Sequence, residues 1–215
     1  MQQPRGLAEG PRPRVDRRLR AHIAWLRADA RRRSQRRRLL ALFPKDATGA
    51  EIGSWKGDFA AQLLTHTRPR AIYLIDPWEH RQESTYEQAM FGGQGGDGET
   101  EMQAVYDGVL DRFSAEIAQG RVLVRRSRSV EAAAAFAEGE LDWAYIDGDH
   151  TYEAVKADLE AYYRALRPGG LLAGDDYGVP GWWEDGVTRA VDKFAGSGRT
   201  GAPTIIGSQF VFTKM

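Results

Sequence analysis

The chain has 215 residues, with 30 Lys plus Arg balancing 30 Asp plus Glu and no cysteine at all. The missing cysteines exclude disulfides, thiolate metal sites and cysteine nucleophiles, and no apolar run approaches the roughly 20 residues of a membrane helix. The charge is unevenly spread: residues 1–40 carry 13 Arg against Glu9, Asp16 and Asp29, a net of +10, which leaves −10 for the remainder.

A basic arm on an acidic body is therefore the expected organisation, with the arm at 1–43 and one domain at 44–215. The first residues lack the apolar centre of a signal peptide, so the cytoplasm is the expected location. Residues 1–11 read as a loose tail. From about Pro13 to Phe43 the pattern is helical and Arg-rich, with Leu19, Ile23, Leu26, Leu39, Leu40 and Leu42 apolar. RRRSQRRR at 31–38 interrupts that stripe. An Arg run without interleaved aromatics, as at 31–38, is a poor nucleic-acid signature. Docking on the acidic body, or on a second copy in a homo-oligomer, is the expected use of the arm.

Gly49 to Gly57 (GAEIGSWKG) reads as a strand, a glycine turn and a helix start that continues to Thr67. Glycines at 53 and 57 let the backbone approach a ligand, and the helix start offers N–H donors. The spacing is neither the Gly-x-Gly-x-x-Gly of dinucleotide binders nor a phosphate loop. Ala71 to Ile75 is a second strand ending in Asp76, 25 positions after Glu51. An acid at that place is where α/β folds hold a ribose diol. Residues 79–100 form a polar, Gly-centred segment, long enough for a lid or substrate loop. A helix over about 100–118, a strand at Val122 to Val124, and Ser127-Arg128-Ser129 capping a short helix at 130–137 follow.

Trp143 to Ile146 has the unbroken apolar run of a strand buried on both faces. It stops at Asp147-Gly148-Asp149-His150. The next helix keeps Tyr152, Val155, Leu159, Tyr162 and Leu166 on one stripe, and Arg167-Pro168-Gly169-Gly170 should end it. Leu171 to Ala173 is a further strand, closing on Asp175-Asp176-Tyr177. A helix from Trp182 to Phe194 and a hairpin over 203–213 with a Gly-Ser-Gln turn complete the chain. Strands alternating with helices predict an α/β fold: a doubly wound, seven-stranded, mostly parallel sheet with an antiparallel last strand. Parallel strands joined by a helix end on one rim, so Asp147, Asp149, Asp175 and Asp176 should meet in one crevice. Clustered carboxylates call for a cation or a shared proton.

These segments resemble class I S-adenosylmethionine-dependent methyltransferases over residues 48–214. Glu51-Ile52-Gly53-Ser54-Trp55-Lys56-Gly57 is similar to the family's first motif, Asp76 matches its ribose-binding acid, and Arg128-Ser129 resembles the segment flanking the adenine. The resemblance implies a cofactor site at Glu51, Gly53, Ser54, Gly57, Asp76, Arg128, Ser129 and Asp147. YIDGDH with GDDY is similar to a narrower group of metal-dependent O-methyltransferases acting on sugar hydroxyls of macrolides and aminocoumarins. By that likeness Asp147, Asp175 and Asp176 would hold Mg²⁺, and Asp149 would be the general base with His150 beside it. Such an enzyme methylates a hydroxyl of a small polar or glycosylated metabolite. A metal-free acceptor pocket, with the acids acting as helix caps, is the alternative within the fold, and a nucleic-acid binder using the arm is the alternative outside it.

Overall fold

The computed structural model describes residues 17–93 and 97–215. The expected tail at 1–11, the start of the arm and part of the Gly-rich centre of the 79–100 segment lie outside them. By its contacts the chain forms two compact units, residues 1–34 and 35–215. Helix α1 covers Arg17–Leu40. Its last turn belongs to the second unit, where Leu39, Leu40 and Phe43 are buried and Phe43 packs edge-on against Trp143 at 5.0 Å.

Seven strands form one sheet in the order β3-β2-β1-β4-β5-β7-β6. They are β1 (Thr48–Ile52), β2 (Ala71–Asp76), β3 (Val122–Arg126), β4 (Leu141–Ile146), β5 (Leu166–Gly174), β6 (Thr204–Ile206) and β7 (Gln209–Thr213). β1 to β5 pair in parallel, and β7 runs antiparallel between β5 and β6. The doubly wound sheet with one reversed strand is the architecture expected from the sequence. Helices α2 (Asp58–Thr67) and α3 (Glu99–Arg112) cover one face, while α5 (Ser129–Ala134), α6 (Tyr152–Ala165) and α7 (Gly186–Ala195) cover the other. Both faces are therefore dry, and β4 shows why its apolar run is unbroken. Trp143 and Tyr145 enter one core while Ala144 and Ile146 enter the other, as the two-residue repeat of a strand demands.

Four local expectations change. The helix expected to reach Arg167 stops at Ala165, and Leu166 opens β5. Pro168 disfavours helical backbone at Arg167, so the chain turns extended before the glycines are reached. The helix expected over 100–118 breaks at Phe113 into α3 and α4 (Ser114–Ala118). The helix expected at 130–137 is the shorter α5. Trp182 and Trp183 belong to a turn ahead of α7, bridged between Gly181 and Glu184, with Glu184 left-handed at φ 57°. No helix among the described residues is long and apolar enough to cross a membrane.

The strand tips are level. Ile52 pairs with Ile75 and Ile146, and Ile146 pairs with Gly174. One residue further on, each tip reaches to its neighbour: Gly53 N–H donates to Ile75 O at 2.8 Å, Asp147 N–H to Ile52 O at 2.8 Å, and Asp175 N–H to Ile146 O at 3.2 Å. Gly53, Asp76, Asp147 and Asp175 thus share one rim.

Candidate active site

Along that rim lies a cavity of about 680 Å³, within the range of small-molecule sites. Its floor includes Gly53, Asp76 and Asp147, one end reaches Arg128 and Ser129, and the other reaches Asp149 and His150. Glu51, Ser54, Gly57, Asp175 and Asp176 stand behind its wall rather than in it.

At the β1 tip, Gly53 has φ 85°, and a Cβ there would come 2.2 Å from the Asp147 carbonyl oxygen. Glycine is what allows the β1 and β4 turns to touch. Gly57 is also left-handed, at φ 76°, and a Cβ on it would meet the Phe113 ring at 2.5 Å. Its role is therefore visible as packing beneath the start of α2. Glu51 is buried on the α2 side, and burial pushes its carboxyl up to about 8, with Asp147 and Asp76 adding repulsion. One of its oxygens, Oε2, has no partner among the described residues. The Ser54 hydroxyl donates to the Glu51 carbonyl at 3.4 Å.

Asp76 accepts from Trp55 N–H at 3.0 Å and Trp78 N–H at 2.8 Å, while Trp78 Nε1–H donates to Trp55 O at 2.9 Å. Both tryptophans have left-handed backbones, φ 47° and 43°, which bulky residues rarely adopt. The carboxylate pins two strained turns and keeps lone pairs free towards the cavity. Burial raises its pKa, and the two N–H donors oppose that rise.

The acidic end is built by the tips of β4 and β5. His150 Nε2 lies 3.3 Å from Asp147 Oδ1, and Nδ1 lies 3.6 Å from Asp176 Oδ2. Among the described residues, Asp147, His150 and Asp176 can bring one donor atom each within 4.8 Å of one another, a spacing able to hold a metal ion. Asp175 is engaged elsewhere. It accepts from Ser208 Oγ–H at 2.6 Å and Asp176 N–H at 2.8 Å, and pairs with Arg36 Nη2 at 3.5 Å. Burial raises the pKa of Asp147, against the pull of His150. For Asp175, burial is outweighed by Ser208, the Asp176 N–H, Gln209 and Arg36, and the net shift is downward. For His150, burial disfavours the cation, but Asp147, then Asp176 and Asp149, outweigh it and raise the pKa.

Asp149 accepts from Thr151 N–H at 2.9 Å, the turn expected ahead of α6, and from the Tyr86 hydroxyl at 2.7 Å. Tyr86 comes from the 79–100 segment and is buried; burial and then Asp149 push its phenol up to about 12. Around it stand Phe91 at 5.5 Å and Trp182 at 5.5 Å, with the Arg81 guanidinium 4.3 Å over its ring. Trp182 meets Trp183 at 5.5 Å, and Trp183 meets His150 at 4.5 Å. Two segments far apart in sequence thus wall the acidic end with aromatic edges and faces.

Tyr86, Arg36 and Ser208 escape a sequence reading. For Arg36 a signal exists: it lies three and four positions before Leu39 and Leu40, on the buried side of the last turn of α1. For Ser208 none does.

A family described as a methyltransferase domain matches residues 50–177. No match was found among curated proteins. Solved structures share the fold at low identity. Geranyl diphosphate C-methyltransferase from Streptomyces coelicolor A3(2), in complex with Mg²⁺, geranyl diphosphate and S-adenosyl-L-homocysteine, is 12% identical with a TM-score of 0.57, over 86% of this chain and 81% of that one. The N-methyltransferase NodS from Bradyrhizobium japonicum WM9, in complex with S-adenosyl-L-homocysteine, is 13% identical with a TM-score of 0.56, over 86% and 87%. A Streptococcus mutans protein in complex with S-adenosyl-L-homocysteine is 12% identical with a TM-score of 0.55, over 85% and 97%. Other neighbours are longer, and the chain spans about half their length. The family match covers more than half of the sequence and falls on the strands and turns that build the rim, so the chain belongs to this methyltransferase-domain family.

Proposed function

We propose that the enzyme is an O-methyltransferase acting on a hydroxyl of a small glycosylated or otherwise polar metabolite, with a divalent cation assisting. The observation that carries this reading is the meeting of Asp147, His150 and Asp176 beside Asp149, at the end of a cavity whose middle is floored by Gly53 and Asp76.

S-adenosylmethionine, when bound, supplies an electrophilic methyl group on a sulfonium. Gly53 and Asp76 would hold it, Asp76 by accepting from the ribose hydroxyls. The acceptor hydroxyl would lie against Asp149, which takes its proton as the S–CH₃ bond breaks and the O–CH₃ bond forms. Tyr86 and Thr151 fix the orientation of that carboxylate, leaving its remaining lone pairs for the acceptor. Trp182 and Trp183 would press on a sugar face or planar ring and exclude water.

The donor set fits a divalent cation. Two carboxylates suit Mg²⁺ or Mn²⁺, and the imidazole adds a nitrogen better matched to Mn²⁺ and later ions. The cation would supply charge stabilisation to an alcohol too weakly acidic to ionise at neutral pH. Asp147, His150 and Asp176 would hold it, and Asp175, gripped by Ser208 and Arg36, would support Asp176 from behind.

A metal-independent reading also has an observation behind it. His150 stands between the two carboxylates with a ring nitrogen towards each, so a protonated ring can offset one of their two charges without a metal. One experiment separates the two. Purified enzyme is screened with labelled S-adenosylmethionine against glycosides, phenols, amines and carbon nucleophiles, then retested after chelation and with Mg²⁺ or Mn²⁺ restored. Transfer to hydroxyls that stops on chelation and returns with the ion supports the cation-assisted reading. Transfer indifferent to chelator removes the cation, and transfer confined to nitrogen or carbon acceptors removes O-methylation.

A further inference from the structure

Asp158 lies on α6, away from the acidic end, yet it is 2% exposed and forms part of the cavity wall. Its Oδ1 has no hydrogen-bond partner among the described residues. Buried polar atoms are almost always paired, and leaving one unpaired costs free energy. Burial pushes the carboxyl up to about 7, with the Ser129 side chain opposing that rise. An asparagine or leucine would fill this place at lower cost if packing were its whole purpose.

The surroundings say what would pair with it. Ala154, four residues earlier, stacks on the same helix face and also lines the cavity. With only a methyl group there, the way to Asp158 is open. The facing wall is the start of α5, Ser129 and Val130. The Tyr162 hydroxyl, donating to Ser129 O at 2.9 Å, and Arg164, donating to Ala133 O at 3.0 Å, clamp α6 to α5. The result is a slot with an apolar side, Ala154 and Val130, and a buried carboxyl whose Oδ1 has no partner among the described residues.

The rim fixes the order of groups along a bound ligand. The methyl to be transferred must face Asp149 and His150 at the β4 tip, and the ribose is held at Asp76 on the β2 tip. The base, attached to the far side of the ribose, is directed towards β3 and the start of α5. We propose that Asp158 reads the edge of this base, accepting a hydrogen bond from an exocyclic amino group. Asp158 is thereby a specificity-determining residue for an amino-bearing purine, and the slot rejects a base that presents a carbonyl oxygen at the same position. The inference rests on the cofactor reading above and goes beyond it in assigning a residue outside the motifs.

The test compares S-adenosyl-L-homocysteine with S-inosyl-L-homocysteine, which exchanges the amino group for a carbonyl and adds a hydrogen at N1. Titration calorimetry is run on the full chain at a pH well above 7, where the Asp158 carboxyl is ionised and cannot donate to the carbonyl. Wild type should favour the adenosyl compound by roughly ten- to a hundredfold, the scale of one hydrogen bond to a charged group. In Asp158→Asn the amide can turn to donate or to accept, so the preference should shrink to about threefold or less. Asp158→Ala should weaken the adenosyl compound roughly tenfold and leave the inosyl compound nearly unchanged. Thermal melting of each variant confirms the fold. Equal binding of the two compounds by wild type, or an undiminished preference in Asp158→Asn, overturns the assignment. Failure of wild type to bind S-adenosyl-L-homocysteine at all overturns the cofactor reading, and this one with it.

Discussion

Tyr86 donates its phenolic hydrogen to Asp149 at 2.7 Å, joining residues 63 positions apart. The bond ties the 79–93 segment to the turn after β4, so the carboxylate proposed as base is oriented by a residue outside the acidic motif's own strand and helix.

Replacing Tyr86 by Phe keeps the ring contacts with Phe91 and Trp182 and removes only the hydroxyl. A hydrogen bond to a charged acceptor is worth about 1.5–3 kcal/mol. Turnover should fall roughly tenfold, with affinity for S-adenosyl-L-homocysteine unchanged. Steady-state kinetics with an acceptor from the screen, set beside calorimetry, checks both halves.

Arg36 reaches Asp175 at 3.5 Å and stacks its guanidinium 5.0 Å over Phe59. Arg36→Leu keeps an apolar stem but leaves the carboxylate with Ser208, Gln209 and the Asp176 N–H and no cationic partner. The pair is only partly buried, so the expected loss is about 1–2 kcal/mol, between surface and buried extremes. Arg36→Lys should recover part of it. Urea denaturation of the three proteins measures the order.

Asp158 sets a pH dependence. Its folded pKa, about 7, lies above its ordinary value of 3.8, so the folded state holds the proton longer. Stability is full below pH 4 and is lost as pH rises towards 7. At about 1.36 kcal/mol per pH unit, the span is on the order of 4 kcal/mol. Asp149 and Tyr162 are the other titratable groups coupled to it. Asp158→Asn should flatten the stability profile between pH 4 and 7, as read by denaturation midpoints across that range. A profile parallel to wild type would refute it.

Two glycine substitutions should have opposite signs. At Gly53 a methyl group meets the Asp147 carbonyl and the backbone is left-handed, so Gly53→Ala should cost more than the roughly 1–2 kcal/mol of backbone strain alone and should abolish cofactor binding. At Gly108, inside α3, an added Cβ meets nothing within 4 Å. Gly108→Ala should stabilise by about 0.5–1 kcal/mol. Thermal melts and calorimetry of both variants report the contrast.

The sheet was legible because its signals are local. Unbroken apolar runs at Ala71 to Ile75 and Trp143 to Ile146, each closed by an acid, determine two-sided strands and where they stop. The rim follows from parallel pairing alone. What local signals cannot carry is which acid faces which. Asp147 and Asp176 meet across His150, whereas Asp175, next in sequence to Asp176, faces Ser208 and Arg36. The left-handed backbone of Asp176, φ 60°, separates the directions of the two neighbours. Tyr86 was hidden in a segment that reads as polar, and the Trp182-Trp183 pair carries a helical spacing that Glu184 breaks. Each miss involves a partner more than 20 residues away or one reversed dihedral angle.

The reversed strand has a consequence for the order in which the protein matures. β7 is inserted between β5 and β6, and the β6–β7 hairpin presents Ser208 to Asp175. A nascent chain that has paired β1 through β5 still lacks the hydroxyl that holds this carboxylate and the strand that covers β5. The grip on Asp175 is therefore complete only once the β6–β7 hairpin has formed and closed against β5.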